Sequence, residues 1–119
     1  VLVHAIMDAI LGALGEGDIG RHFPDSSEEF KDADSMMLLT KVYEYMEKKG
    51  YRIGNVDAVI IAQRPKMASF IDEMNTKIAS VLHTQKEKVN IKATTTENLG
   101  PEGREEGITS QSVVLLEEV

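Results

Sequence analysis

Residues 92–100 of the chain read Lys-Ala-Thr-Thr-Thr-Glu-Asn-Leu-Gly, and their side chains suit a metal-complexed diphosphate. The hydroxyls of Thr94, Thr95 and Thr96, together with backbone amides, can donate hydrogen bonds to phosphate oxygens. The carboxylate of Glu97 can hold a divalent cation that bridges those oxygens. The alternative is an ordinary β-branched strand end followed by a polar loop, and so short a motif does not decide between the two. Residues 94–97 are called the threonine corner below.

A second pair of candidate ligands lies near the start of the chain. His4 and Asp8 are four residues apart in an apolar helical pattern, so both project from one face of the predicted helix. His4 is a candidate metal ligand, and Asp8 is its neighbour or orienter. The alternative is a histidine bonded to a backbone carbonyl and an exposed aspartate.

A glycine-rich segment, Gly15–Gly20, follows this helix but matches neither a P-loop nor a dinucleotide-binding fingerprint. Its Asp18 either binds a polyol hydroxyl or caps the next turn. Residues 23–27 are predicted as a loop in which Asp25 is a turn or cap residue.

Basic residues mark the junction between a predicted strand and a predicted helix. Pro65 restricts Arg64 to extended geometry and favours the start of a helix. Free helical amides and the cations Arg64 and Lys66 would make this junction an anion site. A simple turn with solvated basic side chains is the alternative. His83, at the far end of the same helix, is predicted as a C-terminal cap.

Hydrophobic periodicity indicates the elements that position these residues. Helices are predicted at residues 1–14, about 34–49 and 68–82, and strands at residues 51–63, 89–92 and 108–116. This order predicts an α/β or α+β sandwich, with helices on one face of a mixed sheet of at least three strands. The other face needs a cover, which self-association or further N-terminal strands would supply.

Composition indicates one globular domain of 119 residues: 42% are hydrophobic, 28% are charged and the formal net charge is −7. This charge argues against a nucleic-acid partner, because no basic stripe is available to neutralise phosphates. The absence of cysteine excludes disulfides and thiolate metal ligands. No apolar run approaches the roughly 20 residues that span a bilayer, so no membrane partner is expected.

In their order along the chain, these motifs resemble the 2-C-methyl-D-erythritol 2,4-cyclodiphosphate synthases of the non-mevalonate isoprenoid pathway. Each piece is weak alone, but the ordered set is highly specific and covers nearly the whole chain. The matching pieces are His4-Ala5, Asp8–Ala13, Gly17–Gly20, Phe23–Asp25, Gly50-Tyr51, Gly54–Asp57, Ala62–Met67 and Lys92–Glu97.

The resemblance implies a homotrimeric phosphorus–oxygen lyase with active sites between subunits. The family converts 4-diphosphocytidyl-2-C-methyl-D-erythritol 2-phosphate to the 2,4-cyclodiphosphate and releases CMP. The substrate's 2-phosphate attacks its own β-phosphate, so catalysis is positioning and charge neutralisation. A zinc (or manganese) ion would orient the attacking group, and Mg²⁺ would neutralise the α- and β-phosphates. The implied location is a bacterial cytoplasm, or else a plastid.

The resemblance also implies a role for each motif residue. Thr95 and Glu97 are the implied catalytic residues, and the implied metal ligands are His4 for zinc and Glu97 for magnesium. The methylerythritol hydroxyls would be bound by Asp18 and Gly20, with Phe23 and Asp25 beside them. Cytidine would be bound by Ala62, Lys66 and Met67, and the diphosphate by Thr94 and Thr95. Arg104 would lie at the trimer axis, where the family can hold an isoprenoid diphosphate. The cytidine bend, residues 62–67, is expected to belong to a protomer adjacent to the one that supplies the threonine corner.

The chain departs from the family pattern at two places. The family's other zinc ligands lie in an N-terminal Asp-x-His motif upstream of the residues present, so the N-terminal strands are expected to be missing from this sequence. Near the axis, Pro101 and Gln111 stand where the family often has aromatic and glutamate residues. The alternative functions are a non-catalytic, trimeric cytidine-nucleotide-binding scaffold and a generic small α/β interaction module.

Overall fold

The computed structural model describes residues 1–24, 34–64 and 67–119. Its helices are α1 (Leu2–Ala13), α2 (Ile19–His22), α3 (Ser35–Lys48), α4 (Ala68–Val81) and α5 (Gly100–Gly103). Its strands are β1 (Tyr51–Ile61), β2 (Val89–Thr94) and β3 (Thr109–Glu118), and a 3₁₀ turn, Lys86–Lys88, precedes β2. Within these described ranges, no helix is long and apolar enough to cross a membrane.

The described strands form one mixed sheet in the order β2-β1-β3, with β1 parallel to β2 and antiparallel to β3. This sheet and its helical layer confirm the predicted α+β architecture, and β1 is the central strand. Gly54 occupies a bulge in β1, where the register with β3 shifts. A Cβ there would lie 2.9 Å from the carbonyl oxygen of Leu115, so a larger residue would force the strands to move.

The apolar stripes of α1, α3 and α4 form the core against the inner face of the sheet. α1 packs across β3 and against α3, while α4 packs against β2. The largest fully buried side chains are Ile6, Met7, Ile10, Leu11, Leu39, Met46, Ile78, Leu82, Val42 and Val56. Because side chains alternate along a strand, this burial fixes which residues of β1 and β2 face outward.

Asp34 lies at the start of α3, and His83 lies at the end of α4, as predicted. Asp34 accepts a hydrogen bond from the backbone N–H of Met36 (2.9 Å) and so caps α3. His83 follows α4 in a left-handed conformation (φ 53°) and donates its backbone N–H to the carbonyl of Ser80. Its ring stacks on Tyr43 with 4.4 Å between centroids, which makes it a packed helix terminus.

The structure differs from the prediction in two loops and one strand. α2 and α5 lie in segments where no helix was predicted; Asp18 caps α2, and Pro101 supplies the fixed φ that suits the start of α5. β2 continues to Thr94 rather than ending at residue 92. Pairing with β1 explains this extension, because Ile61 lies opposite Thr94 and the N–H of Ala62 donates to the Thr94 carbonyl at 3.0 Å.

The outer face of the sheet carries an apolar patch and a charged cluster. Val113 and Leu115 of β3 are 74% and 61% exposed. In the middle of β1, the carboxylate of Asp57 accepts hydrogen bonds from Lys92 (2.9 Å) and Asn90 (3.1 Å) of β2. Within the described part of the chain, no helix covers this face.

Candidate functional site

The threonine corner is a hydrogen-bonded turn at the end of β2. Thr95 Oγ1 accepts a hydrogen bond from the backbone N–H of Glu97 (3.1 Å), and Thr96 Oγ1 donates to the carbonyl of Leu99. Glu97 and Asn98 both have positive φ, 55° and 66°. The turn therefore fixes the backbone position of Glu97 more closely than a loose polar loop would.

The carboxylate of Glu97 is exposed, and no hydrogen bond or ion pair engages it within the described ranges. Mg²⁺ usually keeps several waters and is held by one or two carboxylates together with substrate phosphates. A free carboxylate beside hydroxyls that can bind phosphate supplies those donors. The residues at the corner therefore fit a magnesium ion.

One pocket joins the threonine corner to the predicted cytidine bend. Ala62, Met67, Thr94 and Thr95 all line it, and its volume is about 180 Å³. The expectation that the bend and the corner come from neighbouring protomers needs correction, because these residues meet within a single chain. Parallel pairing of β1 with β2 brings the carboxyl ends of both strands to the same edge of the sheet, which explains the meeting.

The two aspartates near the start of the chain cap α2. Asp8 Oδ1 accepts a hydrogen bond from the backbone N–H of Ile19 (2.9 Å), and Asp18 Oδ1 accepts one from that of Arg21 (2.9 Å). The capping alternative for Asp18 is therefore observed, whereas Asp8 is engaged in a cap and not in orienting His4. In both aspartates the other carboxylate oxygen has no partner within the described ranges.

His4 is exposed, and its Nε2 lies 3.4 Å from the hydroxyl oxygen of Ser35. Among the described residues, no group of three histidine, cysteine, aspartate or glutamate side chains is placed to hold a metal ion. Zinc in proteins takes at least three protein ligands. The described residues therefore do not complete a zinc site, and His4 supplies at most one ligand.

The remaining predicted methylerythritol contacts lie in and after α2. Gly20 is part of α2. Phe23 follows it, packs half-buried against the core and donates its backbone N–H to the carbonyl of Ile19 at 2.7 Å. Asp25, and Lys66 of the predicted cytidine pocket, lie outside the described residues.

Arg104 follows α5 and forms two hydrogen bonds with the carboxylate of Glu106, 2.8 Å and 3.3 Å long. The neighbouring Glu105 forms an ion pair with Arg64 (3.1 Å), so the cation of the predicted anion site contacts the α5 loop. Both pairs are largely exposed and therefore weak. An incoming anion can compete for either guanidinium.

Gln63 is a pocket residue that was not predicted from the sequence, although Ala62 and Arg64 on either side of it were candidates. Gln63 lines the same pocket as Thr94 and Thr95. Its Oε1 accepts a hydrogen bond from the backbone N–H of Asn98 at 3.1 Å. Its position within the Ala62–Met67 motif could have indicated a role at the site. No local sequence pattern, however, indicates a hydrogen bond to Asn98, which is 35 positions away.

Comparison with known sequences gives the family. A sequence model of the YgbB family matches residues 1–117. The 2-C-methyl-D-erythritol 2,4-cyclodiphosphate synthase of Clostridioides difficile is 60% identical over 116 residues, which is 98% of this chain and 72% of that protein. The synthase of the same name from Lysinibacillus sphaericus is 58% identical over 116 residues, 98% of this chain and 73% of that protein.

Solved structures show the same fold at lower identity. The bifunctional IspDF of Campylobacter jejuni matches with a TM-score of 0.93 and 43% identity, over 98% of this chain and 32% of that one. The CDP complex of IspF from Plasmodium falciparum matches with a TM-score of 0.85 and 35% identity, over 98% of this chain and 69% of that one. None of these comparisons supports a non-catalytic scaffold. The chain belongs to the YgbB family, and its relatives at 58% and 60% identity are named 2-C-methyl-D-erythritol 2,4-cyclodiphosphate synthases.

Proposed function

We propose that this protein is a 2-C-methyl-D-erythritol 2,4-cyclodiphosphate synthase, which converts 4-diphosphocytidyl-2-C-methyl-D-erythritol 2-phosphate to the cyclic diphosphate and CMP. The observation that carries the proposal is the single pocket lined by Ala62, Met67, Thr94 and Thr95. Such a pocket suits a nucleotide whose base lies against the cytidine bend and whose diphosphate lies against the threonine corner. Relatives 58% and 60% identical to the chain are named for this activity.

In the proposed reaction, an oxygen of the substrate's 2-phosphate forms a bond to the β-phosphorus. The bond from that phosphorus to the oxygen bridging the two phosphates breaks, and CMP leaves with the bridging oxygen. Both the attacking and the leaving groups belong to the substrate, so no protein nucleophile is required. The task of the protein is to hold the reacting groups in line and to balance their charge.

The two threonines of the pocket differ in how readily they can bind the diphosphate. Thr95 Oγ1 already accepts the N–H of Glu97, which leaves its own proton for a phosphate oxygen. Thr94 Oγ1 donates to the carbonyl of Thr95 at 3.1 Å and must exchange that bond for one to the substrate. Thr95 is therefore the better prepared donor and the proposed catalytic threonine.

Magnesium is proposed at Glu97, where a bound ion would neutralise the α- and β-phosphates of the substrate. Support comes from the carboxylate's exposure and from the lack of any partner for it within the described ranges. His4 is proposed as one ligand of a zinc (or manganese) ion. Since the described residues do not complete that site, no step of the reaction is assigned to zinc.

A homotrimer with active sites between subunits is proposed on two observations. The outer face of the sheet exposes Val113 and Leu115, an apolar patch that a second copy of the chain would cover. In addition, His4 and the α2 residues with proposed substrate roles do not line the pocket that contains Thr95. A neighbouring subunit would bring the two sets together.

A cytoplasmic location is proposed from the bacterial source of the curated relatives.

The remaining substrate contacts are proposed from the motif positions. Asp18 keeps a carboxylate oxygen available for a methylerythritol hydroxyl, with Gly20 and Phe23 beside it. Arg104 is held by an exposed and exchangeable ion pair, which leaves it able to bind an anion near the trimer axis. Asp25 and Lys66 are proposed to contact the methylerythritol and the cytidine, respectively.

The direct test is CMP release from the cytidylyl substrate by the full-length protein in the presence of Mg²⁺. We expect CMP and the cyclic diphosphate in equal amounts, and a loss of about 100-fold or more in kcat for Glu97→Gln. Glu87→Gln is the matched control, because Glu87 is exposed and lies before the opposite end of β2. Full activity of Glu97→Gln would remove Glu97 from the site. Binding of CDP without any CMP release from the wild type would favour the scaffold alternative.

A further inference from the structure

The turn that carries Glu97 has an unusual backbone. Glu97 and Asn98, both L residues with side chains, have φ values of 55° and 66°, and the N–H of Leu99 donates to the carbonyl of Thr96 at 3.1 Å. Two successive positive φ values are the pattern of a type I′ turn, which glycine, asparagine and aspartate usually form. Glutamate is a poor residue for this conformation. Contacts from outside the turn must therefore hold it.

One such contact comes from the end of β1. Gln63 Oε1 accepts the backbone N–H of Asn98 at 3.1 Å, although the two residues are 35 positions apart. Among the described residues, the turn's other hydrogen bonds join neighbours in the sequence, such as Thr95 with Glu97. Gln63 therefore supplies the long-range hydrogen bond that ties the turn to the sheet.

The turn is also packed against α5. A Cβ added to Gly103 would lie 2.2 Å from the carbonyl carbon of Asn98 and 2.7 Å from its Cα. Only glycine permits so close an approach of two backbones. Asn98 thus contacts both Gln63 and Gly103, and these two contacts restrict its backbone to the positive-φ conformation.

We infer that Gln63 is a positioning residue, which holds the Asn98 amide and thereby keeps the carboxylate of Glu97 placed for the metal-bound diphosphate. This inference rests on the proposed function, because it assigns Glu97 to the metal. Gln63 is suited to the role because it also lines the pocket with Ala62 and Thr95. Gln63 therefore joins the part of the pocket proposed for the cytosine base to the turn whose Glu97 is proposed to hold the metal-bound diphosphate.

The test begins with Gln63→Met, which keeps the length of the side chain but removes the acceptor oxygen. We expect kcat to fall at least 10-fold and the Mg²⁺ concentration for half-maximal rate to rise by a similar factor. Gln85→Met is the matched control, since Gln85 is exposed and makes no side-chain cap. Unchanged kcat and Mg²⁺ dependence in Gln63→Met would overturn the inference.

A second substitution separates positioning from direct contact with the substrate. Glycine adopts positive φ without strain, so Asn98→Gly stabilises the turn without help from Gln63. We expect the half-maximal Mg²⁺ concentration of the double variant Gln63→Met/Asn98→Gly to return most of the way to the wild-type value. Failure of this rescue would show that Gln63 acts on the ligand directly, which contradicts a positioning role.

A third measurement does not depend on activity. Amide hydrogen exchange at Asn98 reports the hydrogen bond to Gln63, and we expect it to accelerate at least 10-fold in Gln63→Met and to stay unchanged in Gln85→Met. Unchanged exchange at Asn98 in Gln63→Met would overturn the inference, whatever the substitution does to activity. If the wild type releases no CMP while exchange at Asn98 responds as expected, the proposed function has failed and the structural link has not.

Discussion

At the scale of single residues, Asp57 shows how the sheet tunes a charge. Hydrogen bonds from Lys92 and then from Asn90 hold the pKa of the Asp57 carboxyl below its ordinary value. A carboxyl whose folded pKa is lowered adds stability that is complete above its unfolded pKa of about 3.9. That stability is lost as the pH falls through the lower, folded value. The Asp57–Lys92 pair therefore makes the folded protein lose stability as the pH falls below about 3.9, and it does not make stability depend on pH near neutrality.

Lys92→Met removes the main donor and should weaken this acid sensitivity. We expect the urea midpoint of the variant to change less than that of the wild type between about pH 6 and pH 3. The measurement is made at one protein concentration, because assembly also shifts apparent stability. Lys88→Met, which changes an exposed lysine before β2, should keep the wild-type pH dependence. An identical pH response in wild type and Lys92→Met would contradict the role of the pair.

Some side-chain roles were open or hidden in the sequence and depend on the fold. The sequence left Asp18 with two roles because one carboxylate can both cap a helix and bind a hydroxyl, and the structure shows the cap. The residue types at the threonine corner indicated anion chemistry, and that interpretation stays a prediction. The hydrogen bond from Asn98 to Gln63 was not predictable, since it depends on the register of β1 with β2 and not on any local pattern.

At the scale of elements, Gly54 and Gly12 allow a matched prediction. Gly54 lies in the bulge of β1, where a Cβ would meet the Leu115 carbonyl oxygen at 2.9 Å, whereas a Cβ on Gly12 of α1 meets nothing within 4 Å. Gly54→Ala should lower the free energy of unfolding by about 1–3 kcal/mol, as overpacking does. Gly12→Ala should raise it by about 0.5–1 kcal/mol. Chemical denaturation measures both, and equal effects would contradict the bulge argument.

The long elements were predictable because each shows a hydrophobic period. α1, α3 and α4 differ from their predicted bounds by at most one residue at each end, and of these three helices α3 alone starts at a side-chain cap, Asp34. α2 and α5 were missed because a four-residue helix is too short to show a period. The sheet order was also beyond the sequence, since strand pairing depends on how α4 returns the chain to β1.

At the scale of the whole molecule, the exposed apolar patch predicts the assembly. Leu115→Glu would place a charge from every copy into the proposed interface, so we expect sedimentation to show monomers in place of trimers. Met37→Glu is the matched control, because Met37 is 43% exposed on the helical layer and should leave the trimer intact. A trimer that survives Leu115→Glu would place the interface on another face.

Sites shared between subunits predict complementation between two inactive variants. His4→Ala and Glu97→Gln should each abolish turnover, but a site that takes His4 from one chain and Glu97 from its neighbour is complete at one position in every mixed trimer. Random assembly of equal amounts then gives about a quarter of the wild-type activity. If both residues of one chain served the same site, every site in a mixed trimer would be defective. CMP release by the co-expressed variants therefore measures directly whether the α1 face and the threonine corner meet across the subunit boundary.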